Sequence, residues 1–156
     1  MSMGQIAEIG TLAILGFVLS KIGLRMTMII GILGHAARFA IFAFFPDPKY
    51  AILVNLLHGI CYAFFFASVY IYIDAVFPKD IRTSAQGLYN FLILGIGDLA
   101  AKWLFIPLQG KYLTGDGLAG YEKLFLVPTG LALVAAVLLA LFFHPAKVAA
   151  PAVVAH

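Results

Sequence analysis

The chain has 156 residues, 63% of them apolar and only 11% charged, with a formal net charge of +3. A soluble domain carries about half apolar and about a quarter charged residues, and a chain this short cannot hide such an excess from water. The composition therefore excludes an ordinary water-soluble enzyme or binding domain and selects lipid as the solvent.

Five apolar segments follow one another at about 1–20, 26–45, 51–77, 84–108 and 124–143. A spanning helix needs about 20 residues at 1.5 Å rise, and each segment meets that length. The expected fold class is all-α, a polytopic transmembrane helix bundle with five spanning helices. Pro46 and Pro48, then Pro78, then Pro107 mark the expected helix ends. The 109–123 loop is glycine-rich, and the tail from 145 to 156 is expected to be flexible. The first segment is not a cleaved signal peptide, since no basic residue precedes Lys21 and Glu8 interrupts the apolar run.

The ten basic residues lie mostly in loops, which is a topology pattern rather than a phosphate-binding patch. Nucleic acid is accordingly not expected as a partner. Lys21, Arg25, Lys79, Arg82 and Lys147 fall on one side, and Lys49, Lys111 and Lys123 on the other. The shorter, more basic loops place the C-terminus in the cytoplasm and Met1 outside, and the expected location is the plasma (inner) membrane. The first helix reaches spanning length only by starting at Met1, with no hydrophilic flank. Together with an odd helix count, this leads us to expect a longer protein of which the chain is the later part.

Several polar side chains converge on one layer. Glu8 lies 13 residues before Lys21 and Arg38 lies 13 residues after Arg25, each roughly 20 Å from the inner boundary. Ionisable groups at that depth are costly and mark pathways for polar solutes or protons. Gln5 and Glu8, three apart, share a helix face. Gln supplies a donor and an acceptor, Glu accepts, and desolvation favours the protonated form of a carboxyl, so Glu8 is the proton-coupling candidate. The alternative for Glu8 is a pair with a cation of a neighbouring helix. Asn55, His58, Tyr62 and Phe65 or Phe66 follow a three-four spacing. This stripe suits a planar, hydroxylated solute, or else an interhelical seam with aromatic filler.

Asp98 and Lys102 are four apart and can pair along their helix, and Arg38 could partner Asp98 from another helix as an intramembrane ion pair. Gly87, Gly95 and Gly97 read as close helix packing. His58 and Cys61 do not make a metal site. The single cysteine allows no intrachain disulfide. No nucleophile elbow, paired-His zinc motif or phosphate loop occurs. An enzyme, a cofactor and a metal are therefore not expected.

The segment Gly16-Phe-Val-Leu-Ser20-Lys21-Ile-Gly23-Leu-Arg25 resembles the G-x-x-x-D-R/K-x-G-R-R/K loop of the major facilitator superfamily. It matches the degenerate copy between the second and third helices of the C-terminal half. Asp74-Ala-Val-Phe-Pro78-Lys-Asp-Ile-Arg82-Thr-Ser-Ala-Gln86-Gly87 resembles the next cytoplasmic loop. Within the superfamily, Met3-Gly-Gln5-Ile-Ala-Glu8-Ile and His58-Gly-Ile-Cys-Tyr62-Ala-Phe-Phe-Phe66 are similar to the nucleoside:proton symporter family. The resemblance implies helices eight to twelve of twelve, with a missing N-terminal half, membrane lipid, a nucleoside-like solute and a proton as partners. It implies that Gln5 and Glu8 contact solute, that His58 and Tyr62, with Phe66 of the stripe, line the same cavity, and that Lys21, Arg25, Asp74 and Arg82 form a cytoplasmic gate. The expected function is part of a proton-coupled secondary importer working by alternating access. A carrier of sugars or other small solutes is one rival. A non-transporting membrane scaffold is another, and an intramembrane enzyme the weakest.

Overall fold

Helices make up nearly all of the computed structural model, which describes residues 2–45, 48–113 and 118–145. The chain order is α1 (Ser2–Phe44), α2 (Pro48–Tyr62), a π-helical turn (Ala63–Ala67), α3 (Ser68–Val76), α4 (Lys79–Asn90), a second π-helical segment (Phe91–Gly97), α5 (Asp98–Leu113) and α6 (Leu118–Phe142). Four continuous helical stretches are long and apolar enough to cross a membrane: Glu8–Phe44, Leu57–Val76, Lys79–Leu113 and Ala119–Phe142.

The first stretch is not one straight rod. Gly23 adopts φ 78° and ψ 165° inside α1, a backbone conformation open only to glycine. The break falls in the 21–25 segment that the sequence marks as a loop. Thr27, fully buried, donates its Oγ1–H to the Gly23 carbonyl at 2.8 Å and so satisfies one group that the break releases.

The helix expected over 84–108 begins earlier and ends later. Pro78 precedes the first residue of α4, and its carbonyl accepts from the Arg82 N–H at 3.1 Å, so the helix starts directly behind the proline. Pro107 does not end α5, which continues to Leu113. Pro128 likewise lies within α6, where Thr129 Oγ1 donates to the Phe125 carbonyl at 2.8 Å in the adjoining turn. Proline inside an apolar helix is tolerated when side chains and neighbours satisfy the freed backbone. Pro46, residues 114–117 of the glycine-rich loop and the tail beyond Pro145 lie outside the described residues.

Packing centres on α1, which runs against both α2 and α6. The buried residues there are small or slender: Met28, Ile32, Ala36, Ala43, Val54, Cys61, Ala63 and Ala136. In lipid there is no apolar driving force between helices, so close backbone approach over small residues supplies the attraction. The tightest approach is at Gly31 and Gly34. A Cβ on Gly31 would lie 2.8 Å from the Phe65 backbone nitrogen, and one on Gly34 would lie 2.5 Å from Cys61 Sγ. By contrast, Gly95 and Gly97 face only atoms of their own helix, and Gly87 faces open space. The close-packing glycines are thus in the second segment, not the fourth.

The stretch Lys79–Leu113 stands apart. It packs on α3 at its start and on α6 at its end, makes no contact with α1, and buries none of its residues.

Candidate functional site

The Gly31 and Gly34 approach determines what can meet one and two turns further along. Arg38 Nη1 donates to His58 Nδ1, joining α1 to α2. Accepting at Nδ1 leaves the His58 ring as the Nε2–H tautomer in this arrangement. The His35 ring, on the Arg38 face of α1, meets the His58 ring edge-on at 6.4 Å and the Phe66 ring at 6.4 Å. Phe66 in turn stacks at a tilt against Tyr62, with centroids 5.1 Å apart and planes 30° apart. Glu8 is half-buried and lies within electrostatic reach of His58.

His58, Tyr62 and Phe66 therefore occupy one neighbourhood, with Arg38 and His35 beside them and Glu8 near enough for its charge to be felt at His58. The Gln5 side chain lies outside the described residues. Tyr62 is 40% exposed and His58 is exposed, so this wall is open rather than sealed within the described residues. The cluster combines a carboxylate, an arginine donor, two imidazoles and two aromatic faces. That set can hold a neutral, planar, hydroxylated molecule by stacking and by hydrogen bonds of both senses.

The π-helical turn Ala63–Ala67 contributes to this arrangement. In a straight α-helix, side chains four apart drift by about 40° around the axis. A wider turn with i→i+5 bonding takes up some of that drift. It lets Tyr62 and Phe66 stack while the backbone and Cβ of Phe65 pack over Gly31. Nothing in the apolar run Ala63-Phe-Phe-Phe-Ala67 marks a π turn in advance.

Two expected groupings come out differently. Arg38 and Asp98 do not pair, because α1 and α5 are not in contact. Asp98 instead accepts from Lys102 Nζ at 2.6 Å, four residues along its own helix, and Arg38 takes His58. Of the gate residues, Asp74 and Arg82 come together, with Arg82 Nε 3.6 Å from Asp74 Oδ1. Gln86 Nε2 donates to the same Asp74 oxygen at 2.8 Å, and Arg82 Nη2 donates to the Phe77 carbonyl at 3.4 Å. Arg25 instead donates to the Ala140 carbonyl near the end of α6, and Lys21 lies over the Phe17 ring at 5.7 Å. His35, three residues before Arg38 and on the same helix face, joins the cluster without having been singled out from the sequence. Gly31 and Gly34, two turns and one turn before Arg38, were the missed signal. Among the described residues no three His, Cys, Asp or Glu side chains are placed to hold a metal ion.

A helical membrane bundle with a helix broken at a glycine between basic residues, and with polar side chains gathered away from its ends, is what the resemblance to the major facilitator carriers implies. Comparison with known proteins agrees. The chain matches a mutant crystal structure of the nucleoside transporter NupG with a TM-score of 0.78 at 28% identity, over 92% of this chain and 37% of that one. The putative nucleoside transporter YegT of Escherichia coli K12 is 33% identical over 104 residues, 64% of this chain and 24% of the relative. Xanthosine permease of the same organism is 29% identical over 146 residues, 88% of this chain and 34% of the relative. The chain belongs to the nucleoside H+ symporter family, whose model matches residues 1–148. This is a family of membrane transporters, not of enzymes. The chain spans between 24% and 34% of the length of these two curated relatives.

Proposed function

We propose that the chain supplies one wall of the solute path of a proton-coupled nucleoside importer. Five membrane crossings, with the Gly23 break separating the first two and the C-terminus in the cytoplasm, make up most of one half of the carrier fold. The solute site in such folds lies near the midplane between two bundles, which rock around it. Gln5 and Glu8 contact the ribose or base, Tyr62 and Phe66 stack on the planar part, and His58 and Arg38 orient the edge. Glu8 carries the coupled proton, and the charges at Asp74, Arg82, Lys21 and Arg25 close the inner side when the site faces outward.

The observation that carries this reading is the meeting of Arg38, His35, His58, Tyr62 and Phe66 in one neighbourhood of a chain that belongs to a nucleoside symporter family. The test is competition against radiolabelled uridine uptake in cells expressing the complete reading frame in which this chain lies. Unlabelled nucleosides should compete and hexoses should not, and Tyr62→Ala should weaken apparent uridine affinity by roughly five- to tenfold, the value of one lost aromatic contact. Equal competition by hexoses would favour a general solute carrier, and absence of any uptake would favour a scaffold.

A further inference from the structure

The two helices that flank the candidate site diverge. α3 packs on α4, but neither α2 nor the π turn Ala63–Ala67 touches the second π segment Phe91–Gly97. The seam is therefore closed at the α3–α4 end and open beside Tyr62 and Phe66. Two ladders at four-residue spacing meet along the closed part. Tyr62, Phe66, Tyr70 and Asp74 run down one helix, and Asn90, Gln86 and Arg82 run down the other. Asp74 takes Arg82 and Gln86, while the Tyr70 hydroxyl donates to Asn90 Oδ1.

The Tyr70–Asn90 bond is the rung nearest the candidate site, one turn above the charged rung. It joins neutral partners, and its surroundings are polar but incompletely satisfied. The Tyr70 and Tyr89 rings meet edge-on at 5.5 Å. The Tyr89 hydroxyl is buried without a hydrogen-bond partner. Tyr70 follows Phe66 by four residues, so this layer adjoins the stacking wall.

We propose that the Tyr70–Asn90 pair is the floor of the solute cleft, a neutral latch that a planar solute with donors and acceptors on its edge opens by substitution. The Asn90 amide offers a carbonyl acceptor and two N–H donors. A molecule that presents a complementary edge replaces the Tyr70 hydroxyl without leaving the amide unpaired, whereas an apolar molecule leaves it bare. The latch thus adds selection by edge chemistry between the stacking site and the charged gate. The selection step rests on the nucleoside reading, and the latch itself rests on the helix geometry.

The experiment is thiol labelling of Tyr89→Cys, beside the Tyr70 ring, placed in a Cys61→Ala background of the complete reading frame, with a membrane-impermeant maleimide. Labelling is compared in inside-out and right-side-out vesicles, and Lys79→Cys reports which face is the gate side. Tyr70→Phe, which keeps the ring and removes only the hydroxyl, should raise labelling from the gate side about three- to tenfold, the effect of one lost hydrogen bond on a two-state opening. Asn90→Ala should do the same, and the double variant should exceed neither single by more than about twofold, because both remove one interaction. Labelling from the opposite face should not rise.

In uridine uptake, Tyr70→Phe should change the maximal rate and leave KM within about twofold. Oxidative cross-linking of the pair Tyr70→Cys, Asn90→Cys should stop uptake, and dithiothreitol should restore it. Unchanged gate-side labelling in both single variants, additive effects, or uptake that survives a completed cross-link would overturn the latch. The labelling arm needs no solute, so its failure is separate from a failure of the nucleoside reading, which would show as a normal latch with no uridine competition.

Discussion

Adding a single methyl group at Gly31 or at Gly34 tests how the site is positioned. At Gly31 the new Cβ would lie 2.8 Å from the Phe65 nitrogen and 3.1 Å from the Phe64 carbonyl carbon, both backbone atoms. Ordinary contact begins near 3.5 Å, so α1 and the π turn must part by about half an ångström or more. Backbone in a helix cannot swing aside, and overpacking of this kind costs typically ~1–3 kcal/mol. At Gly34 the clash is with Cys61 Sγ at 2.5 Å, a side-chain atom that has no free space because Cys61 is fully buried. The difference between the two positions lies in the remedy. Cys61→Ala removes the offending sulfur, so Gly34→Ala combined with Cys61→Ala should regain most of the stability lost by Gly34→Ala alone. Gly31→Ala should not be rescued by any substitution at Phe65 that keeps the backbone in place. Thermal stability in detergent, read by size-exclusion chromatography after heating, measures both. If Gly31→Ala is neutral, or if the Cys61→Ala background fails to rescue Gly34→Ala, the close approach described here is wrong, and with it the positioning of Arg38 against His58.

Two further perturbations separate the pairings. Arg38→Ala and His58→Ala should be non-additive in detergent stability by about 0.5–3 kcal/mol, as for residues in direct contact, whereas Arg38→Ala and Asp98→Ala should add within about 0.5 kcal/mol. Coupling between Arg38 and Asp98 would restore the ion pair that the separation of α1 from α5 excludes. Gly23→Ala should cost about 1–3 kcal/mol, because φ 78° with ψ 165° is closed to a residue with a Cβ. Wild-type stability of that variant would mean that the helix break does not depend on this backbone geometry.

The membrane class was legible because composition and run length are gross quantities, and a basic loop with glycines at fixed spacing identified the Gly23 break. Helix ends were less legible. Pro107 was read as a stop but sits within α5, as Pro128 sits within the helix expected over 124–143, since freed backbone groups in an apolar helix can be satisfied by neighbours. The candidate site was legible as a stripe on the α2 face, since three-four spacing survives folding. Its partners were not, because which cation meets which acceptor depends on helix adjacency. Arg38 and Asp98 sit at similar depth, but depth does not show that α1 and α5 fail to touch. Glycine pairs were sought in the fourth segment, where three glycines cluster. The pair that matters, Gly31 and Gly34, precedes His35 and Arg38 by about one turn each and was the local clue.

The central claim is that Glu8 carries the proton of a nucleoside symport. The most direct measurement is uridine accumulation driven by an imposed pH gradient, in membrane vesicles containing the complete reading frame with Glu8→Gln at matched membrane abundance. Glutamine cannot take up and release a proton, so the imposed gradient should no longer drive accumulation. Accumulation at the wild-type rate would contradict the account.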